Sequence, residues 1–481
     1  MRPHILYVTP IFGYPAFGGP RLRTYNTLRA LARCADVSLF LTQQADTADV
    51  EATRAHLLTF CRTVVLPEPN PAAGSHSGVR AAARAMLPAR VQRAVRWLRA
   101  ALRQLGPALR GVAEKSRDGA TRPSGYVYSN GVRPLLASGR GLFGRTPRRS
   151  APGVQTASSE PAGRDPAIIA ALREWIQAHQ PDLVWLGFGG ISYDLVPLKA
   201  QTGTPLVLET ECVWSRFVLR ELPFASDAGR RQQIEREGRA KEAEERSGAP
   251  LVDITTAVSE VDAAYFRSLV PDAGRVMPLA NVIDVEAYQT SPSAVRLEQP
   301  ALVFAGTLSH GTANVDAGCW LVDEVLPRVW RRRPDVHLYV VGRSPAPEIL
   351  ARRARQVHVT GEVRSIVPYM RASVAALVPL RWESGTRFKI LEAFACKTPV
   401  VSTSLGAEGL DIQHGCHLLL ADNPDTFAGA ILSLLEDPTL GQRLVEPAYE
   451  LVRREYDLSS AERQINAVLA RLGLSVGVAV P

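Results

Sequence analysis

The chain has 481 residues, 46% of them hydrophobic, and a formal net charge of +9. That length and apolar content suffice for two or three domains with full cores and exclude a disordered chain. Cys34, Cys61, Cys212, Cys319, Cys396 and Cys416 show no CxxC or other ligand spacing, which argues against zinc and for reduced, mostly buried thiols of a cytoplasmic protein. The opening MRPHILYVTP has too short an apolar run for a signal peptide and reads as a strand. No stretch approaches about 20 uninterrupted apolar residues, so no membrane span is expected.

In chain order, apolar runs of strand length fall at 4–10, 37–42, 62–67, 183–187, 205–211, 254–259 and 275–280, with helical patterns between several of them. FGYPAFGGPRLRTYNTLRALA (12–32) follows the first run and places Gly18 and Gly19 before a helix, with Pro20 suited to its first position. Such a turn can cradle an anion. Gly13, Gly18 and Gly19 do not make G-x-G-x-x-G, so a nicotinamide dehydrogenase loses support.

The rhythm stops after the third run. Residues 80–149 hold sixteen Arg or Lys against Glu114 and Asp118, a net of +14, so the rest of the chain is net negative. Val91, Val95, Leu98, Leu102, Leu105 and Leu109 keep helical spacing, with Arg93, Arg96, Arg103 and Trp97 off that line. This basic amphipathic pattern suits an anionic membrane surface or packing against the protein itself. Aromatic residues are sparse and no nucleic-acid motif appears, so nucleic acid is not an expected partner.

After a Pro- and Ser-containing linker the alternation restarts, with strands at 301–307, 336–342, 357–361, 374–380, 398–403 and 417–422 and helices at 313–332 and 424–436. AGTLS (305–309) and VGRSP (341–345) put small residues after strands. Two doubly wound α/β domains in tandem, their strand ends facing across a cleft, are the simplest architecture. RWESGTRFKILEAFACKTPVV (381–401) then poses a physical question. Thr386 reads as the N-cap of a short helix, which puts the cations Arg387 and Lys389 at the positive end of its dipole. A ligand phosphate would explain them, since it gains free N–H groups, the dipole and two cations together. An exposed Lys389–Glu392 pair is the alternative.

The ordered set AGTLSHGTANVDAGCWLVDEVLP, HLYVVGRSP, VHVTGEV, VPLRWESGTRFKILEAFACKTPVVSTSLGAEGLD and HLLLADNPDTFAGAILSLLEDP resembles the retaining glycosyltransferases of family 4, of GT-B fold, in a GTR-x-K variant. GGPRLRTYNTLRAL, PDLVWLGFGG, PLVLETECVWSR and TTAVSEVDAAYF match more loosely. The resemblance implies an acceptor-side domain over 1–285 with a basic insertion at about 70–165, a linker at 286–300, a nucleotide-sugar domain at 301–455 and a helix at 456–475 packing back on the first domain. It implies a donor site of Gly18, Gly19, Gly306, Thr307, Gly342, Arg343, Gly361, Val363, Gly385, Thr386, Arg387, Lys389 and Glu392. Glu392 would hold the donor ribose, and the loop around Gly361, Glu362 and Val363 would face the base.

The departures from the pattern are specific. The family's two glutamates are separated by seven residues, whereas Glu383 and Glu392 have eight between them and Ser384 takes the aligned place. Glu383 and Ser384 are the catalytic candidates. Thr307 and Asn314 stand near the usual diphosphate-binding Arg and Lys, whose work Arg387 and Lys389 would take over, and Gly187 stands where a histidine is common. No D-x-D pair occurs, which fits an enzyme with no metal and no cofactor beyond its donor. The implied function is sugar transfer from a nucleotide-sugar donor to a glycan or lipid-linked acceptor in cell-surface polysaccharide or glycolipid assembly. Residues 80–110 would contact an anionic membrane at the inner face of the plasma membrane. A non-catalytic nucleotide-sugar-binding or scaffold protein of the same fold is the alternative.

Overall fold

Thirteen short strands form two parallel sheets. The first contains β1 (His4–Thr9), β2 (Asp36–Leu41), β3 (Thr63–Val65), β4 (Leu183–Leu186), β5 (Leu206–Glu209), β6 (Ile254–Ala257) and β7 (Val276–Pro278), in the order β3-β2-β1-β4-β5-β6-β7. The second contains β8 (Ala301–Ala305), β9 (His337–Val341), β10 (Val357–Gly361), β11 (Ala375–Val378), β12 (Val400–Ser402) and β13 (Leu419–Leu420), in the order β10-β9-β8-β11-β12-β13. The computed structural model describes residues 2–14, 16, 18–43, 50–66, 165–290 and 294–474, all within one compact unit. The basic segment 80–149, with the amphipathic helix and membrane contact expected of residues 80–110, lies outside the described residues. No helix among the described residues is long and apolar enough to cross a membrane.

The strand order of each sheet reverses once, between β1 and β4 and between β8 and β11, the crevice where open α/β sheets take ligands. Burial on both faces explains the near-continuous apolar strands. Along β1, Ile5 and Tyr7 enter one core while Leu6 and Val8 enter the other. The 313–332 helical pattern appears as Ala313–Trp320, a π turn at Leu321–Val325 and Leu326–Trp330. Pro327 lies just beyond that turn and brings no N–H to the ladder. The Leu458–Arg471 helix sends Leu458, Ile465, Val468 and Leu469 into the core beneath the Gly19–Cys34 helix of the first domain. Residues 285–290 form a helix whose Gln289 donates to the carbonyl of Ala395. All six cysteines are free thiols.

The two domains meet through loops at the carboxyl ends of their strands. Beyond β7, Asn281 Nδ2 donates to Thr386 Oγ1 (2.7 Å) and to its carbonyl (3.2 Å). Arg220 of the first domain donates to the Glu383 carbonyl (2.9 Å) and to both oxygens of Glu408 (2.5 and 2.9 Å). Gly19, after β1, packs on the Phe388 ring.

One buried carboxylate joins these loops. Glu209, inaccessible to solvent at the end of β5, accepts from Trp185 Nε1 (2.8 Å), Tyr7 OH (3.2 Å) and Thr27 Oγ1 (3.2 Å), with Arg23 Nε 2.9 Å away. Arg23 donates onward to Asn281 Oδ1 (2.7 Å). Removing one member of a buried ion pair strands the other, at about 3–5 kcal/mol. Glu209→Ala is therefore expected to lower unfolding free energy by about that much in urea titrations. Tyr7→Phe, which removes a single hydrogen bond, is expected to cost only about 1 kcal/mol.

Candidate functional site

The loop between β11 and the Phe388–Ala395 helix builds the site. Arg381 anchors its start on Asp316 (Nε to Oδ2, 3.0 Å), and the Trp382 ring is buried. Glu383 then takes φ 136 and Gly385 φ 86, both in the region that favours glycine. At Gly385 the requirement is also steric, because a Cβ would lie 2.7 Å from the Glu211 carbonyl oxygen. The helix that follows buries Phe388, Ile390, Leu391, Ala393, Phe394 and Ala395. Its N-cap is Arg387, with no side-chain cap, rather than Thr386. Thr386 is drawn away because its hydroxyl accepts from Asn281.

Arg387 is buried, only 6% exposed. Its Nη1 donates to the carbonyls of Ser384 (2.6 Å) and Gly385, and its Nε lies 3.3 Å from Glu383 Oε2. Its Nη2 has no hydrogen-bond partner among the described residues, and neither has the buried Ser384 hydroxyl. A buried donor left unsatisfied costs about 1–3 kcal/mol.

Lys389 does not pair with Glu392. Its Nζ donates to Asn314 Oδ1 (2.5 Å) and lies 5.3 Å from the centre of the Phe304 ring. Burial pushes its pKa down to about 8, with Glu383 acting against this and Arg387 adding to it. Asn314 in turn donates to the Thr307 carbonyl (3.1 Å). Thr307 and Gly306 follow β8, while Gly342 and Arg343 follow β9 so closely that a Cβ on Gly342 would lie 1.7 Å from the Gly306 carbonyl oxygen. Arg343 Nε reaches Thr307 Oγ1 at 3.4 Å. The Gly342 N–H donates to the Gly361 carbonyl (3.1 Å), which brings in the third loop, where Val363 packs partly buried. Gly306, Thr307, Gly342, Arg343, Gly361 and Lys389 therefore form one cluster at the strand ends. Gly18 caps the Gly19–Cys34 helix from the first domain.

Glu392, one turn further along its helix, accepts from Tyr288 OH through Oε1 (2.9 Å), and its Oε2 accepts no hydrogen bond among the described residues. Burial raises its pKa, with Tyr288 and Lys389 acting against it.

Sequence reasoning passed over two charged groups here. Arg21 has its pKa lowered by burial and next by the like charge of Arg343, while Glu362 acts the other way. A cation of the first domain is thus within electrostatic reach of one of the second. Glu211 follows β5, and its Oε1 accepts from Trp214 Nε1 while its Oε2 is shut off from solvent without a partner among the described residues. Burial raises its pKa to about 7. The signal was present in PLVLETECVW, an apolar strand that runs out into two carboxylates, Glu209 and Glu211.

Residues 299–437 match the family model described as Glycosyl transferases group 1. That match spans the second sheet and covers less than a third of the chain. A phosphatidyl-myo-inositol mannosyltransferase of Mycobacterium tuberculosis is 31% identical over 220 residues, covering 42% of this chain and 56% of that protein. A glycogen synthase of the same species is 24% identical over 197 residues, covering 39% and 46%. The chain thus spans about half the length of the curated relatives it matches. HepE from Anabaena, solved in complex with UDP, superposes with a TM-score of 0.57 at 14% identity, over 97% of this chain and 99% of that one. A glycosyltransferase from Rickettsia africae gives 0.54 at 10% identity, over 98% and 99%. The fold is GT-B.

The raised pKa of Glu211 has a sign that can be tested. The folded state holds its proton to higher pH than the unfolded state, so this group lowers stability progressively as pH rises from 4.5 to about 7. Glu211→Gln keeps the acceptor for Trp214 and is never charged. Its stability relative to the wild type is expected to grow across that window by about 3 kcal/mol and to level off above it, measured by urea titration at a series of pH values.

Proposed function

We propose that this protein transfers a sugar, with retention of anomeric configuration, from a nucleoside diphosphate donor to a glycan or lipid-linked acceptor. In this reading the diphosphate lies at the uncapped N-terminus of the Phe388–Ala395 helix, against Arg387 and Lys389, with Arg343 of the same domain and Arg21 of the first domain nearby. The observation that carries it is the Arg387 guanidinium, buried, with Nη2 unpartnered among the described residues, on the N-cap residue of a helix that has no side-chain cap. An anion would satisfy both at once.

The chemistry follows from charge. As the glycosidic bond to the diphosphate breaks, negative charge grows on the leaving oxygen, and fixed cations and helix N–H groups lower the barrier without reorganising. Lys389, with its pKa brought down near 8, gains most from such a partner, because the diphosphate restores its charged form. The acceptor hydroxyl attacks from the face the diphosphate leaves, and its proton passes to the leaving phosphate, so no protein nucleophile is required. Glu392, with Oε2 unpartnered among the described residues, accepts from the two ribose hydroxyls. Glu383, paired with Arg387, holds the loop beside the sugar, and Ser384 offers its hydroxyl there. The match of the second domain to group 1 glycosyltransferases and the name of the mannosyltransferase relative support a sugar donor and a lipid-linked or glycan acceptor.

Calorimetry with UDP, GDP and ADP tests the donor site. The Arg387→Ala, Lys389→Ala double variant is expected to weaken nucleoside diphosphate binding by about 3 kcal/mol or more, roughly a hundredfold in Kd. Unchanged affinity in the folded variant would refute the site. Glu392→Gln is expected to weaken nucleotide binding and spare pyrophosphate, which has no ribose; equal losses for both would refute the ribose role. Incubation with nucleotide sugars, with and without acceptor, reads turnover. Intact nucleotide binding without release of sugar would mark a non-catalytic donor-binding protein.

A further inference from the structure

Away from the cleft, three side chains with metal-ligating atoms converge where no sequence motif announces them. His337 is the first residue of β9 and His358 the second of β10, and the parallel register sets Val357 beside Leu338 and His358 beside Tyr339. Glu298 lies in the chain just before β8. His337 Nδ1 and His358 Nε2 are 3.1 Å apart. The Glu298 carboxylate is 3.6 Å from His337 Nε2 and 4.0 Å from His358 Nε2. One donor atom from each residue lies within 4.8 Å of the other two.

This spacing is close to that of a bound metal. Four-coordinate zinc with bonds of about 2.0–2.1 Å separates its ligands by about 3.3 Å. His337 Nδ1 and His358 Nε2 already approach that separation, and the carboxylate, 4.0 Å from His358 Nε2 and within 4.8 Å of the His337 donor atom, has to close by about 1–1.5 Å. Glu298 is exposed and free to make that movement. Among the described residues its ion-pair partners are these two histidines, so no Lys or Arg competes for it. Tyr339 supports two of the three ligands. Its ring stacks on His358 (centroids 4.4 Å apart, planes within 11°), and its hydroxyl accepts the Glu298 N–H at 2.9 Å. Such outer partners are what fix ligand orientation in metal sites.

We propose that Glu298, His337 and His358 form a binding site for one divalent transition metal of the zinc class, with solvent completing the coordination. Two imidazoles and a carboxylate suit zinc and its neighbours better than magnesium or calcium, which prefer all-oxygen sites. The metal would fasten the end of the interdomain segment to the outer strands β9 and β10. It lies at the amino end of β9, a strand length of about 16 Å from the glycine loops at the carboxyl end. The site therefore stands or falls independently of the glycosyl-transfer reading.

The test uses the untagged full chain, stripped of metal and titrated with Co2+ as an optical stand-in for Zn2+. One equivalent is expected to bind with the intense visible absorption of four-coordinate cobalt and without a thiolate charge-transfer band, and Zn2+ is expected to displace it. Glu298→Gln, at an exposed position that does not threaten folding, and His358→Gln are each expected to weaken binding by about tenfold or more. Zn2+ is expected to raise the Tm of the wild type and not of these variants. No saturable binding, binding with a thiolate band, or equal affinity in the wild type and Glu298→Gln would each overturn the site.

Discussion

Glu209 is cut off from water, so its charge must be met by donors from the protein, and they come from three parts of the first domain. Tyr7 belongs to β1, Trp185 to β4, and Arg23 and Thr27 to the helix that follows the Gly18–Gly19 turn. Sliding that helix along the sheet would separate the ion pair and strand two buried charges, so the turn is held in one place relative to the strand ends. Arg23 carries the constraint outward to the Leu279 carbonyl and Asn281 side chain, and Asn281 carries it across to Thr386. A chain of hydrogen bonds thus runs from the centre of the first sheet into the loop that holds the candidate donor site.

That loop combines strain with support. Glu383 occupies a backbone region that costs a non-glycine residue about 1–3 kcal/mol and persists only where its surroundings over-determine it. Here Arg220 grips its carbonyl and Arg387 its carboxylate. The arrangement turns the carbonyls of Ser384 and Gly385 toward Arg387 Nη1 and leaves Nη2 unmatched among the described residues. The strain therefore produces a half-satisfied guanidinium beside an uncapped helix, a combination that stability alone disfavours and an anion resolves.

The sheet architecture was legible because buried parallel strands announce themselves as apolar runs. All thirteen expected runs form strands, although 62–67 shortens to Thr63–Val65 and 417–422 to Leu419–Leu420. The cations at 387 and 389 were legible as an electrostatic anomaly. Their partners were not. Lys389 reads as a neighbour of Glu392 by helical spacing, yet desolvation and the reach of its stem direct it to Asn314, 75 residues away in sequence. Thr386 reads as an N-cap by residue type, but a hydrogen bond from another domain outcompetes the local one. Glu211, Arg21 and the His337–His358 pair depend on tertiary register, which one-dimensional spacing does not encode.

The same residues serve two ends, and this couples them. Thr386 and Glu383 make interdomain hydrogen bonds through Asn281 and Arg220, while Arg387, between them and the helix, offers the free donor. Any movement of one domain against the other must break or stretch these bonds and so shift the backbone carbonyls that hold Arg387 Nη1. Conversely, an anion engaging Nη2 and the helix end pulls on the loop those bonds restrain. A ligand changes a conformational equilibrium only by binding its states differently. Here the difference is built into a five-residue segment that is both the domain contact and the cationic site, so occupancy of the site and the spacing of the domains are expressed through one set of backbone angles.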